Sequence, residues 1–287
     1  MDLWDKLFSF QNYGELLALV ANSILAGALL SLIGGLVGVF VVMRDLTFAV
    51  HGISELSFAG ASFALLVGLN VVAGSIGGSL IAAIMFGLLG SKARERSSII
   101  GVLMPFGLGL GVLFLALYPG RSANKFGLLT GQIVAVDNPQ LIWMAVITVV
   151  VGAGLAVMWR PLMFATVDPE IAAARGVPVR GLSVAFMVLL GLTVAMSVQV
   201  VGALLVLALL VTPAAAAMRV TASTLWVPVL SVLFALLSVV GGILLAVGGQ
   251  LPISPYVTTI SFTIYLVCRI VGSRRRRRGW TLRPVAA

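Results

Sequence analysis

Residues 50–68 read VHGISELSFAGASFALLVG and carry one histidine and one carboxylate within an otherwise apolar run. His51 and Glu55 are four residues apart, so a helix would place both side chains on one face. His51 is the only histidine of the chain. Because a carboxylate and an imidazole are costly to retain in a membrane, the pair indicates an ion or proton site on a transport path. The alternative is a polar clasp between helices, with no ion passing through it.

The composition around this stretch is that of a membrane protein. The chain has 287 residues, of which 61% are hydrophobic and only 9% charged, and its mean hydropathy is +1.17. Soluble proteins average about 25% charged residues. The single cysteine, Cys268, lies in an apolar run, so the sequence predicts no disulfide framework. We expect residues 1–15 to form a short interfacial segment instead of a signal peptide, because they lack a basic start and a small-residue cleavage site.

Apolar runs long enough to cross a hydrocarbon core of about 30 Å recur along the whole chain. They predict an all-α, polytopic bundle of eight or nine transmembrane helices in a single domain, residues 1–287, with eight expected if one pair is re-entrant. The candidate spans are 16–42, 52–70, 72–91, 98–118, 139–159, 181–198, 200–217, 224–247 and 256–272.

Basic residues between these runs predict the orientation. If the loop at Arg44 is cytoplasmic, strict alternation puts most other lysines and arginines on the cytoplasmic side as well, which agrees with the positive-inside rule. The C-terminus is then cytoplasmic, and the N-terminus is extracytoplasmic if the number of spans is odd. The residues inside are Lys92, Arg94, Arg96, Arg160, Arg175, Arg180, Arg219 and the terminal arginines, and those outside are Lys6, Arg121 and Lys125.

The net charge of +9 would suggest a nucleic-acid partner in a soluble protein. In this chain the position of the charge argues against a nucleic-acid partner, because five arginines directly follow the last apolar run. We therefore predict a basic cytoplasmic tail, residues 273–287, that contacts anionic membrane lipid and binds no nucleic acid. The anchoring residues are Arg274, Arg275, Arg276, Arg277 and Arg278.

The segment between the fifth and sixth candidate spans, residues 160–180, has the pattern of a short capped helix. Asp168 can accept hydrogen bonds as the N-cap, Pro169 suits the first helical position, and Glu170 lies in the first turn. Gly176 can end the helix, and Pro178 prevents its continuation. The segment is either an ordinary interfacial helix or a docking element for a soluble partner.

Several of these segments, in order along nearly the whole chain, resemble one family: the permease subunits of bacterial ABC importers for zinc, manganese and iron. GVFVVMRDLTF (38–48) with HGISELSFAG (51–60) resembles the family's stretch after its first span. DPEIAAARGVPV (168–179) is similar to its cytoplasmic coupling segment. The other similar segments are FGLLTGQIVAVD (126–137), VVGALLVLALLVTPAAAAMR (200–219) and GGQLPISPYVT (248–258).

One departure from the family's pattern concerns the histidine and the carboxylate. When the shared glycine is set at Gly60, the family's aspartate falls on His51 and its histidine falls on Glu55, while its proline becomes Ala59. The two ligand types have exchanged places at the same spacing. Imidazole nitrogen and carboxylate oxygen both suit Zn²⁺ and Mn²⁺, so the ligand set is kept.

The resemblance implies a fold and an assembly. The fold would be that of metal-type ABC importer permeases, similar to the cobalamin importer permease although this chain is short for a cobalamin or siderophore importer. The chain would be a transport subunit in the bacterial plasma membrane and not an enzyme. It would hold no permanent cofactor, and its transported ion would be Zn²⁺ or Mn²⁺, with Fe²⁺ as an alternative.

The implied partners are a second permease copy, a cytoplasmic ATP-binding subunit and an external metal-binding protein. His51 and Glu55 would line the metal pathway, and two copies facing one axis could complete a weak site. Contact with the ATPase would fall to Asp168, Glu170, Ala172 and Gly176. The chain has no GxxxxGK[ST] loop, so ATP is expected only on the partner subunit.

Two other classes remain as alternatives. The first is an ion-coupled secondary transporter in which Glu55 relays protons. The second is an intramembrane enzyme, for which His51 is the only available histidine and a metalloprotease pattern such as HExxH is absent. Within the family, an importer of iron or an iron chelate is the main alternative.

Overall fold

The computed structural model describes residues 20–89, 93–120, 136–247 and 253–280, and the described residues form α-helices joined by short turns. The expected interfacial segment, 1–15, lies outside the described residues. The helices are α1 Ala21–Met43, α2 Thr47–Val67, α3 Val71–Leu89, α4 Ala93–Leu117, α5 Asn138–Val167, α6 Pro169–Ala174, α7 Val179–Val201, α8 Val206–Val220, α9 Trp226–Val247 and α10 Ile253–Trp280.

Eight of these helices are long and apolar enough to span a membrane, which confirms the predicted polytopic all-α bundle. Three of them form its centre: the most apolar windows of α1, α2 and α7 are 67%, 61% and 72% buried. The corresponding windows of α3, α4, α5, α9 and α10 are only 22–39% buried. Helix α2, which carries His51 and Glu55, therefore lies in the interior of the bundle, packed mainly between α3 and α4.

The predicted span 200–217 forms a shorter helix than the other spans and is interrupted near its start. Helix α7 continues to Val201 and stops at Gly202, whose φ of 80° ends the helix, and a single 3-10 turn leads into α8. Helix α8 has 15 residues and would extend about 22 Å, short of the roughly 30 Å of a hydrocarbon core. The apolar pattern runs through this break, which explains why sequence alone left the count at eight or nine.

Glycines let α2 and α3 approach at backbone distance. A Cβ atom on Gly60 would collide with the Gly74 carbonyl oxygen, and one on Gly78 would collide with the carbonyl oxygen of Leu56. Since lipid provides no hydrophobic drive between helices, such close packing of small residues is a main source of helix association. The glycine-rich stretch GSIGGS, residues 74–79 of α3, is thus a packing surface that fixes the position of α2, which carries the histidine and the carboxylate.

One end of the bundle gathers the ends of several helices. Arg44, after α1, contacts Ser183 near the start of α7. Gly272 of α10 lies against the backbone of Arg219 at the end of α8. Helices α1 and α9 are antiparallel, because Gly27 faces Val239 and Ile243 while Gly35 faces Val232. The end of α1, the start of α7, the end of α8 and the final turns of α10 thus share this end, together with short helix α6.

Helix α10 continues beyond the last apolar run. The sequence predicts a span that stops near residue 272, whereas α10 extends through the five arginines to Trp280. Arginine is a good helix former, so the helix continues through the arginines after its apolar part is complete. Arg274 is exposed, and residues 281–287 of the expected tail lie outside the described part of the chain.

Candidate functional site

A tight corner between α1 and α2 sets the start of the helix that carries the candidate site. Asp45 has a φ of 53°, and the Leu46 N–H donates to the Val41 carbonyl at 2.9 Å. Leu46 is buried, and its carbonyl accepts from the Val50 N–H at 3.0 Å. This hydrogen-bonded corner gives α2 a defined start, so His51 in its second turn and Glu55 in its third turn lie at a fixed height.

His51 and Glu55 lie side by side on α2, as their spacing predicts. The His51 Nε2 atom is 3.8 Å from the Glu55 Oε1 atom. The two environments differ, because the His51 side chain is 30% exposed and that of Glu55 only 3%. The histidine is thus the accessible member of the pair and the carboxylate is the enclosed one. Sequence alone did not indicate this difference.

The pair keeps unused hydrogen-bonding capacity. Among the described residues, the buried atoms Glu55 Oε2 and His51 Nδ1 have no hydrogen-bond partner. A buried polar group without a partner is costly, and most native examples have a functional reason or an unseen ligand. These two atoms are therefore available to an ion, a water molecule or a group of another chain.

One chain supplies too few ligands for a complete metal site. In the described part of the chain, no group of three or more histidine, cysteine, aspartate or glutamate side chains is close enough to hold a metal ion. Zn²⁺ commonly takes about four ligands. His51 and Glu55 can therefore provide half of such a set, with the remainder coming from water or from a second copy of the chain.

Several hydroxyl groups lie on the same stretch of α2 as the pair, and sequence reasoning did not single them out. Ser54 donates to the His51 carbonyl at 2.8 Å, which engages that carbonyl next to the site. Ser57 on α2 and Ser75 on α3 lie 2.8 Å apart in a buried hydroxyl pair. Ser62 lies two turns after Glu55 on the same face of α2, and its buried Oγ has no partner among the described residues. Its spacing from Glu55 was the available signal.

The short helix predicted from capping residues is present as α6. The Asp168 carboxylate accepts from the Ile171 N–H at 2.9 Å, and Pro169 occupies the first turn beside the exposed Glu170. Ala172 is fully buried and anchors the helix. Gly176, with a φ of 82°, follows the helix end in the left-handed conformation. The structure thus keeps this segment apart from His51 and Glu55, as a separate element at the end of the bundle that holds Arg44.

Comparison with solved structures supports the fold. The chain superposes on a chain of "PsaBC from Streptococcus pneumoniae in complex with Fab" with a TM-score of 0.80, covering 89% of this chain and 94% of that one at 23% identity. At this identity the likeness establishes the fold, and it agrees with the metal-type permease fold expected from the motifs.

Sequence comparisons extend the likeness to whole relatives. A manganese transport system membrane protein, MntC of Halalkalibacterium halodurans, is 28% identical over 85% of this chain and 82% of its own length. The high-affinity zinc uptake system membrane protein ZnuB of Haemophilus influenzae is 27% identical over 85% of this chain and 94% of its own. The family model described as ABC 3 transport family matches residues 17–272, nearly the whole chain. This confirms the predicted resemblance, and the chain belongs to the ABC 3 transport family.

Proposed function

We propose that the chain is the membrane permease subunit of an ATP-driven importer of a divalent transition metal ion, manganese or zinc, and that His51 and Glu55 bind the ion in transit. The proposal rests on the Glu55 carboxylate, which is enclosed in the interior of the bundle and has one oxygen without a hydrogen-bond partner. The His51 imidazole beside it is 30% exposed. The names of the relatives MntC and ZnuB support manganese or zinc over iron.

The ligand count supports a two-copy assembly. Two side chains from each of two permeases would provide the approximately four ligands that a zinc ion takes, and each ion would stay bound only briefly. At 1.5 Å per residue, His51 lies roughly 6 Å and Glu55 roughly 12 Å along α2 from its first residue, Thr47, at depths suited to a transport path. The proposed assembly is a homodimer with an external metal-binding protein and a cytoplasmic ATP-binding subunit, and the incomplete ligand set of one chain supports the second copy.

We assign docking of the ATP-binding subunit to α6 and the turn after it, where Asp168, Glu170 and Gly176 would lie at the contact. Ala172, predicted as a contact residue, is fully buried and instead anchors α6 to the bundle. A capped helix anchored by one buried alanine is a rigid element that can be pushed as a unit. The same end of the bundle carries Arg44, Arg219 and Arg274, which supports a cytoplasmic location for this end and for the C-terminus under the positive-inside rule. Arg274, Arg275, Arg276, Arg277 and Arg278 would then lie beside anionic lipid.

Reconstitution tests this function. The permease is placed in proteoliposomes with its ATP-binding subunit, the metal-binding protein is added outside, and uptake of radioactive manganese and zinc is measured with and without ATP. We expect ATP-dependent uptake of at least one of the two ions, and none by the permease alone. Uptake by the permease alone under a proton gradient would instead support the secondary transporter that uses Glu55 as a proton relay.

A further inference from the structure

A cluster around Arg44 joins three parts of the bundle that are far apart in sequence. The Arg44 Nη2 atom donates to the Ser183 Oγ at 3.1 Å, and the guanidinium carbon lies 5.8 Å from the centre of the Phe186 ring. Phe40, one turn before Arg44, meets Phe186 and Trp159 edge to face, with ring centres 5.8 Å and 4.9 Å apart. We call these five residues the Arg44 clamp.

The clamp holds both helices that flank α6. Trp159 belongs to α5, which leads through Asp168 directly into α6, and Ser183 and Phe186 belong to the first two turns of α7. The connection from α6 to α7 is also short and hydrogen-bonded, because the Val177 N–H donates to the Ala172 carbonyl at 3.0 Å. Short connections thus link α6 to α5 and α7, and the clamp joins these two helices at Trp159, eight residues before the end of α5, and at the start of α7.

The clamp is connected through the chain to the helix that carries the candidate metal site, α2, although its own residues belong to α1, α5, α7 and the corner at Arg44. Arg44 is the residue directly after α1, and α2 begins only three residues later, at Thr47. Both Phe40 and Phe186 have no exposed surface, so the contact between α1 and α7 is closely packed. A force applied through α7 would reach the corner before α2, and the first residue of that helix, Thr47, lies about 6 Å along the helix from His51.

We propose that Arg44 is a positioning residue that transmits movement of α6 to the helix bearing His51 and Glu55; this inference rests on the proposed function. An arginine suits this task because its planar guanidinium can stack on an aromatic ring while donating a directed hydrogen bond. A lysine keeps the charge but presents a point charge on a flexible stem, and it loses this combined geometry. Substituting the arginine by lysine therefore separates geometry from charge.

The test measures ion uptake and ATP hydrolysis together, on the complete complex in proteoliposomes. The variants are Arg44→Lys and Ser183→Ala, and Arg219→Lys is the matched control at the end of α8, where the side chain is exposed. We expect Arg44→Lys to lower the number of ions transported per ATP about tenfold, in line with a charge-assisted hydrogen bond. ATP hydrolysis should continue, Ser183→Ala should have a similar effect because it removes the same hydrogen bond, and the control should match wild type.

The outcomes separate this inference from the proposed function. If wild-type complex takes up neither manganese nor zinc, the proposed function fails first. If wild type transports and Arg44→Lys retains normal uptake per ATP, the transmission role is overturned. A parallel fall of uptake and hydrolysis would also overturn it, because that result indicates only a structural contact. If Arg44→Lys does not fold, Ser183→Ala decides, since it removes one hydroxyl from the clamp and leaves the packing of the rings unchanged.

Discussion

Replacing Glu55 with glutamine tests the metal pathway most directly. Glutamine keeps the size of the side chain and removes the charge and the strong metal-binding carboxylate. A structural zinc site of four ligands contributes about 10–16 kcal/mol, or about 2.5–4 kcal/mol for each ligand. The lower value for a single lost ligand corresponds to about 70-fold weaker binding, and a two-copy site would lose two carboxylates at once. Because a transit site binds its ion more weakly than a structural site, we expect uptake at low metal concentration to fall by up to about 70-fold.

The stability of the folded protein should not decrease together with uptake in Glu55→Gln. Glu55 is 3% exposed at its side chain and has one oxygen without a partner, so a neutral amide costs less to bury than the carboxylate. The thermal midpoint of the purified Glu55→Gln protein should equal or exceed that of wild type. The assay pairs initial uptake rates over a range of metal concentrations with detergent thermal melts. Normal uptake together with a lowered midpoint would refute the pathway and support the polar clasp.

An exchange of the two residues gives the matched control. The double variant His51→Glu with Glu55→His keeps both ligand types and their spacing of four residues while reversing their order. If the ligand set determines binding, this variant should regain a measurable part of the uptake that Glu55→Gln loses. Equal loss in both variants would show that the order matters, because only one of the two positions is enclosed.

The remaining predictions concern packing, coupling and the membrane anchor. Gly78→Ala should lower the thermal midpoint of the protein, because the new Cβ would meet the Leu56 carbonyl and overpacking costs about 1–3 kcal/mol. Gly77→Ala is the control, since its Cβ would have open space and should leave the midpoint unchanged. Equal midpoints for the two variants would contradict the α2–α3 contact. Gly176→Val should strain a backbone at φ 82° and reduce uptake per ATP hydrolysed at normal expression, and fully coupled transport would argue that α6 is merely interfacial. Replacing all of Arg274–Arg278 with glutamine should reduce the fraction of correctly inserted protein, since each arginine contributes about 1 kcal/mol near anionic lipid. Uptake per correctly inserted molecule should stay unchanged. A fall in uptake per inserted molecule would assign the arginines to the transport mechanism.

Sequence alone predicted the features that depend on composition and local spacing. Apolar runs of membrane length predicted the helical bundle, because lipid requires every backbone hydrogen bond to be satisfied within the helix. The interval from His51 to Glu55 predicted a shared face, since helical periodicity depends on nothing distant. The helix beginning at Pro169 was predicted from its caps, Asp168 and Gly176, because capping is a matter of adjacent residues.

The tertiary structure decided which groups are enclosed and which distant segments meet. A transmembrane helix is apolar on all sides, so its pattern does not indicate which face lies inside the bundle. For this reason the exposure of His51, the enclosure of Glu55 and the break at Gly202 became known only from the packed helices. Arg44 and Ser183 are 139 positions apart, and no local rule predicts their contact. Such contacts depend on how all the helices fill space together, which is a property of the assembled bundle.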